Sequence, residues 1–272
     1  MVACFNDGAT LPEALAALDA QEPVELVVVN DGSTDPDTLA TLQRLRDEGV
    51  RVIDQENTGL PGARMTGVAA TSARYVYPLD ADDGIVPGSL TRLADALDAD
   101  PAVAVAWGDQ QLFGDVDLVS PRARDLDPWA ITHLNGLPVS SMVRRSDLEA
   151  TGGWVVKGGY EDWDLWMGLA ERSRRGVHVG GPTHRYRIHG SRMLSESRSR
   201  HGEQYAKCVA RHPDLFARRR RNWLRSSAPW RMKLLLPLVA RLPRLGAPTR
   251  HRLTMFVSWP RHGLRMRRAR RR

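Results

Sequence analysis

The chain has 272 residues, 42% of them apolar, and a formal net charge of +7. That is enough apolar material for one large domain or two modest ones, and two lone cysteines, Cys4 and Cys208, argue against a disulfide framework or thiolate zinc site and fit a reducing compartment. The charge is unevenly placed: residues 217–272 hold 18 basic and no acidic residues, leaving the first 216 with 21 basic against 32 acidic.

The predicted elements alternate through the first hundred residues. "MVAC" and "VELVVVN" read as buried strands. "TLPEALAALDAQ" between them reads as a helix, with Thr10 as N-cap and Glu13 three positions later as in a capping box. "DPDTLATLQRLRDEG" is a second helix, "VRVIDQ" a strand, "GLPGARMTGVAATS" a glycine-broken helix and "RYVYPL" another strand. "PGSLTRLADALDAD" continues as a helix with Pro87 in its first turn, and "AVAVAW" as a strand. Strand and helix alternating at this spacing predict a mostly parallel sheet with helices on both faces.

The second half reads differently. "QQLFGDVDLVS", "PVSSMVRR", "VHVGG" and "THRYRIHG" look like strands of mixed direction; "SDLEATGGW" is a short helix, and "YEDWDLWMGLAERSRRG" a helix with carboxylates in its first turn. From about residue 217 the chain is Arg-rich and interrupted by proline. No signal peptide is expected. The longest apolar run of the tail, 234–240, contains a proline and falls well short of the ~20 residues of a spanning helix.

Chemistry enters at the strand ends, where open α/β sheets bind ligands. "YPLDADDGIV" places Asp80, Asp82 and Asp83 within four positions after an apolar strand. Like charges so close need water or a cation between them, although Asp and Gly are also ordinary turn formers. "CFNDG" and "NDGSTD" bring further Asp and Asn to the same rim. Asp162 could serve as a base, although Glu161 and Asp162 could also simply complement a helix dipole. Asp164 is a rival base that points elsewhere on the helix, His178 and His184 read as structural, and Trp154, Trp163 and Trp166 as core or acceptor-pocket packing.

Seven stretches in order resemble the family 2 glycosyltransferases: "VACFNDGATLPEAL", "ELVVVNDGSTD", "ENTGLPGARMTG", "YVYPLDADDGIVPGSL", "SSMVRRSDLEATGGW", "YEDWDLWMGLAERSRRG" and "RYRIHGSRMLS". The resemblance covers roughly residues 1–200 and implies a GT-A (Rossmann-like) α/β fold, with a nucleotide-sugar-binding half at 1–110, an acceptor-binding half at 111–216 and a basic tail at 217–272. It implies that Asp31 reads the nucleobase, that the backbone at Ala3 and Phe5 cradles base and ribose, and that Gly59 and Arg64 lie beside the nucleotide. It matches Asp80 and Asp82 to the Asp-x-Asp motif, with Asp83 beside them and His189 completing a metal or nucleotide site. It matches Asp162 to the catalytic base. Two departures stand out: the first strand is short for the family, as in a misassigned start or a crippled copy, and Met65 stands where asparagine is usual.

The chemistry agrees. Moving a sugar from a nucleoside diphosphate expels a diphosphate, whose charge a hard cation such as Mn2+ or Mg2+ on oxygen ligands neutralises. The acceptor hydroxyl needs a base, and one base without a covalent carboxylate implies inversion. The expected partners are therefore a nucleoside-diphosphate sugar and a glycan or lipid-linked acceptor of the cell envelope. The tail, with Trp223, Trp230, Leu234, Leu235 and Leu238 among its arginines, suggests peripheral attachment to the anionic inner face of the plasma membrane from the cytoplasm. Disorder is its rival, and nucleic acid is not expected as a partner. Two other functions remain open at this point. A nucleotidyltransferase would want a basic residue in "CFNDGATLPE", which has none, and a non-catalytic binding module would not need the carboxylates.

Overall fold

A computed structural model describes residues 1–18, 24–188 and 201–240, with Leu253, Phe256 and Val257. Strand β1 (Val2–Cys4) lies between β2 (Val28–Asp31) and β5 (Leu79–Asp80), with β3 (Val52–Gln55) beyond β2, and every pairing in this sheet is parallel. Side chains alternate across it as a two-residue period requires. Val2, Cys4 and Val28 pack with Leu11 of α1 (Leu11–Ala16), Leu42 and Leu45 of α2 (Pro36–Asp47) and Leu93 and Leu97 of α4 (Ser89–Asp98). Ala3, Val27 and Val29 pack the other way, against Ala63 of α3 (Leu60–Ala69). Each fully buried aliphatic side chain here contributes ~1.5–3 kcal/mol. At α1 the expected capping box does not form: Thr10 makes no side-chain cap bond, and Glu13 instead meets Arg187 at 2.5 Å.

The run from Tyr75 to Asp80 changes partners midway. Its first part, β4 (Tyr75–Val76), pairs antiparallel with β9 (Met142–Arg144), while β5 pairs with β1. Pro78, between them, has no N–H for a ladder and marks the break. The second sheet is mixed, in the order β4-β9-β7-β10-β6, with β7 (Val103–Gly114), β10 (Arg175–Ile188) and β6 (Gly84–Ile85), and β8 (Leu118–Ser120) pairs with β7. Two strands are longer than the sequence pattern predicts. "AVAVAW" and "QQLFG" fuse into β7, and "VHVGG" and "THRYRI" fuse into β10 across a register shift at Gly180 and Gly181, both at positive φ.

Helix α5 (Arg145–Thr151) leads to α6 (Glu161–Glu171), which is buried along nearly its whole length and runs through a core with Trp107, Trp154 and Leu148. Helices α7 (His201–Arg211), α8 (Pro213–Ala217), α9 (Arg219–Arg225) and α10 (Trp230–Ala240) form an outer layer. The described part of the basic tail is docked rather than detached. Leu236 and Val257 pack on Trp129 beside Trp223, and Asp127 accepts bonds from the Ser226 hydroxyl (2.7 Å) and the Ser227 N–H (2.9 Å). The terminal "RMRRARRR" lies outside the described residues.

Candidate active site

A cavity of about 520 Å³ opens at the carboxyl ends of β1, β2 and β5, lined by Ala3, Phe5, Asp31, Gly59, Arg64, Asp80, Asp82, Glu161 and Asp162 among others. Its walls are knitted from strand-end loops. The Asn6 side chain accepts from the N–H groups of Thr34 (2.8 Å) and Asp35 (3.0 Å), and the Ser33 hydroxyl accepts from the Asn6 N–H (3.0 Å). Asp31 holds the next loop: its carboxylate accepts from Thr58 N–H and Gly59 N–H, both at 2.9 Å, and from Gln55 Nε2 at 2.7 Å. Gly59 caps α3 at φ +83°, a conformation that excludes other residues and keeps a side chain out of the cavity wall.

Arg64 is buried, and its guanidinium reaches Asp80 (2.7 Å) on one side and Glu161 (3.4 Å) on the other, over the ring of Trp154. Burial opposes its charge, but Asp80 and Glu161 outweigh burial and hold its pKa above the usual arginine value. The residue expected beside the nucleotide therefore serves as the counter-charge between two walls of the cavity. Glu161 has one carboxylate oxygen without a hydrogen-bond partner, and burial pushes its pKa up to about 7 against the pull of Arg64. Sequence reading gave Glu161 no separate role; its position immediately before Asp162 was the available signal.

Asp162 is only half-buried and faces the cavity from the first turn of α6. It accepts from Asn135 Nδ2 (2.8 Å) and from the Trp163 N–H (2.9 Å). Burial raises its pKa above the usual carboxylate range, and the Asn135 bond and the Arg64 charge limit the rise. Asn135 has no sequence signal, since it comes from a loop 27 residues upstream. Asp164, the rival base, is buried with Arg211 (3.0 Å) and His212 (2.8 Å) and does not line the cavity.

The three aspartates of the opening cluster separate. Asp80 and Asp82 line the cavity, but Asp83 does not: it is 2% exposed and bonded to His184 Nε2 (2.8 Å) and the Arg187 N–H (2.9 Å). The Gln110 amide donates to Nδ1 of His184 (3.0 Å), which leaves Nε2 as the donor to Asp83. Burial raises the Asp83 pKa, and His184 opposes the rise. The structure thus gives Asp83 a bracing place in the turn, paired with His184 and set back from the cavity lining. Arg187 completes the brace through its bond to the Asp82 carbonyl (2.7 Å) and lines the cavity itself. It sits two positions before His189, the residue that the motif singled out; His189 lies outside the described residues. His178 pairs with Asp109 (2.8 Å), a structural role as expected.

Among the described residues no group of three or more His, Cys, Asp or Glu side chains is preassembled for a metal. Asp80 and Asp82 still suit a hard cation of the Mg2+ or Mn2+ kind, which uses one or two carboxylates and fills its shell with water and substrate phosphate oxygens.

A second cavity, of about 660 Å³, lies between the far side of α6 and the outer helices, lined by aromatic rings (Trp129, Trp163, Tyr205, Trp223) and by His133, His201, Arg219 and Arg220. Trp163 adjoins Asp162 on α6, and its ring stacks at 6.3 Å on His201. Burial, then the charge of Arg219, lowers the His133 pKa to about 3, so its neutral ring accepts from the Arg219 guanidinium. Trp154 and Trp166 belong to the core.

Residues 1–149 match the model of the family described as glycosyl transferase family 2. The succinoglycan biosynthesis protein ExoO of Rhizobium meliloti (strain 1021) is 35% identical over 140 residues, which are 51% of this chain and 38% of that protein's length. In fold, the chain resembles S. aureus TarS 1-349, solved with UDP-GlcNAc (TM-score 0.62, 15% identity, 94% of this chain and 80% of that one). It also resembles the mannosyltransferase PcManGT of Pyrobaculum calidifontis, solved with GDP-Man and Mn2+ (TM-score 0.59, 17% identity, 99% of this chain and 82% of that one).

Proposed function

The chain belongs to glycosyl transferase family 2, and on that premise we propose that it is an inverting, metal-dependent enzyme that moves a sugar from a nucleoside diphosphate to an acceptor hydroxyl in polysaccharide synthesis. The observation that carries this reading is one cavity with an Asp80/Asp82 turn on one wall and a half-buried Asp162 on another. The nucleotide lies against Ala3, Phe5 and the loop that Asp31 and Gly59 shape. The diphosphate lies at the Asp80–Asp82 turn, where Asp82, with Asp80, would hold Mn2+ or Mg2+; the ion, when bound, neutralises charge on the departing diphosphate. His189, as the resemblance has it, joins this donor site.

Asp162 takes the acceptor hydroxyl's proton as that oxygen attacks the anomeric carbon. A placed base of this kind contributes ~10²- to 10⁴-fold. The pKa raised by burial brings the carboxylate nearer to neutrality, which strengthens it as a base, while Asn135 and the Trp163 N–H orient it. Arg64 pairs with Glu161 and Asp80, and with Asp162 as the base the reaction is one displacement with inversion. The acceptor glycan enters beside Trp163, toward the aromatic cavity, where ring faces suit sugar faces. The polysaccharide context draws on the likeness to ExoO, and the cation on the likeness to a Mn2+-bound mannosyltransferase.

Calorimetric titration with a panel of nucleoside diphosphates, with and without Mn2+, tests the proposal. Expected is Mn2+-dependent binding of one nucleotide that Asp82→Ala abolishes. Folded protein that binds none of them overturns it.

A further inference from the structure

Helix α10, "WRMKLLLPLVA", is apolar around most of its circumference. Such a helix is stable in water only when it is covered on all sides. One side is covered: Leu236 and Val239 are buried and line the second cavity, and Leu236 packs on Trp129 with Met232 and Trp223 alongside. The other side is open. Trp230 is 75% exposed, Leu234 53% and Leu238 58%, and their four-residue spacing puts them on one stripe with Leu235 alongside. Leu224 of α9 and Phe256 are exposed as well.

The charges that the tail itself carries around this stripe have one sign. Arg231 lies among the exposed leucines on the helical wheel, and Arg220, Arg221 and Arg225 are exposed on the neighbouring helix. From residue 217 onward the chain has no acidic residue at all. A nucleic acid would use the cations but has no place for four large apolar side chains. A water-filled surface would use neither. An anionic bilayer uses both, taking the Trp and Leu side chains into its interface and the Arg and Lys side chains at its headgroups. Among the described residues no helix is long and apolar enough to cross a membrane, so α10, at 11 residues, would lie along the surface.

We propose that the outer face of α10 docks the protein on an anionic lipid surface, with Trp230, Leu234 and Leu238 inserted and the neighbouring arginines on the headgroups. The inference is independent of the donor chemistry. Vesicle flotation of the full chain tests it, comparing phosphatidylcholine alone with phosphatidylcholine containing phosphatidylglycerol. The protein is expected to float with the anionic vesicles and not with the neutral ones. A Trp230→Ser, Leu234→Ser, Leu238→Ser variant is expected to bind the anionic vesicles more than about tenfold more weakly. All three side chains are exposed, so the variant should keep its thermal unfolding midpoint and its nucleotide binding, which separates this test from that of the donor site. Brominated lipid should quench wild-type fluorescence more than that of Trp230→Leu. The proposal is overturned if wild type ignores anionic vesicles, if the triple variant floats as well as wild type, or if the face proves to be buried in a dimer that the triple variant dissolves.

Discussion

The two cavities sit on opposite sides of helix α6 and are built from opposite materials. The first, at the strand ends, is lined by carboxylates from four separate segments, with Arg64 as the buried counter-charge to Asp80 and Glu161. The second is lined by rings and arginines from residues 129–239. An acidic wall is tolerable where a cation and a diphosphate are to arrive; an aromatic, cationic wall suits a sugar chain or an anion. Asp162 and Trp163 are adjacent on α6, so a single helical turn joins the two environments. On the proposed function the two cavities are separable by substitution, and the predictions below sharpen that separation.

The largest effect is expected at the junction. Asp162→Asn should lower turnover by ~10²- to 10⁴-fold while nucleotide affinity stays unchanged, as measured by steady-state rates alongside calorimetry. Arg64→Met should act on the fold. It strands the buried Glu161, and the partly exposed Asp80, without their counter-charge, which costs ~3–5 kcal/mol in urea unfolding; a second substitution, Glu161→Gln, should recover part of that loss.

Glu161→Gln alone makes a pH prediction. The Glu161 carboxyl has a folded pKa near 7 against an ordinary value of 4.5. Between those values the unfolded chain releases its proton and the folded chain keeps it, so stability falls as pH rises through this window. Below it the effect vanishes, and above it the full cost, on the order of 3 kcal/mol, remains. The variant should lose that slope in unfolding curves taken from pH 4 to pH 8. Asn135→Ala should raise the acid limb of the pH–rate profile, because it removes a bond that holds the Asp162 pKa down. The smallest effect belongs to the second cavity. Tyr205→Phe loses the bond to the Thr132 carbonyl and should cost ~1 kcal/mol of stability, with Mn2+-dependent nucleotide binding unchanged.

Much of the first cavity was legible because its residues follow strands or open a helix, and the fold class fixes where such positions point. Asp31, Asp80, Asp82 and Asp162 all reach one cavity for that reason. The limits of this reading are equally physical. Asp82 and Asp83 are identical side chains one position apart, and only a histidine 101 residues later separates their roles. Asn135 and Arg187 reach the site through tertiary packing, for which no local pattern exists. The lengths of β7 and β10 were hidden by glycines that read as breaks. Gly108 in fact permits close passage: a Cβ there would stand 2.5 Å from the Gly181 carbonyl oxygen. The second cavity was illegible because its rings come from separate stretches that look like ordinary core.

The brace on Asp83 bears on how the chain is made. The family match ends at residue 149, yet among the described residues the buried aspartate inside it is held by His184 and Arg187. A chain leaving the ribosome carries that carboxylate for a hundred residues before its partners exist. In the folded chain β10 pairs with both β7 and β6 and carries the two residues that hold the acidic turn. Such late, long-range pairing is intrinsically slow. A fragment cut at the end of the family match would leave the edges of β7 and β6 unpaired, and is expected to aggregate where the longer chain folds.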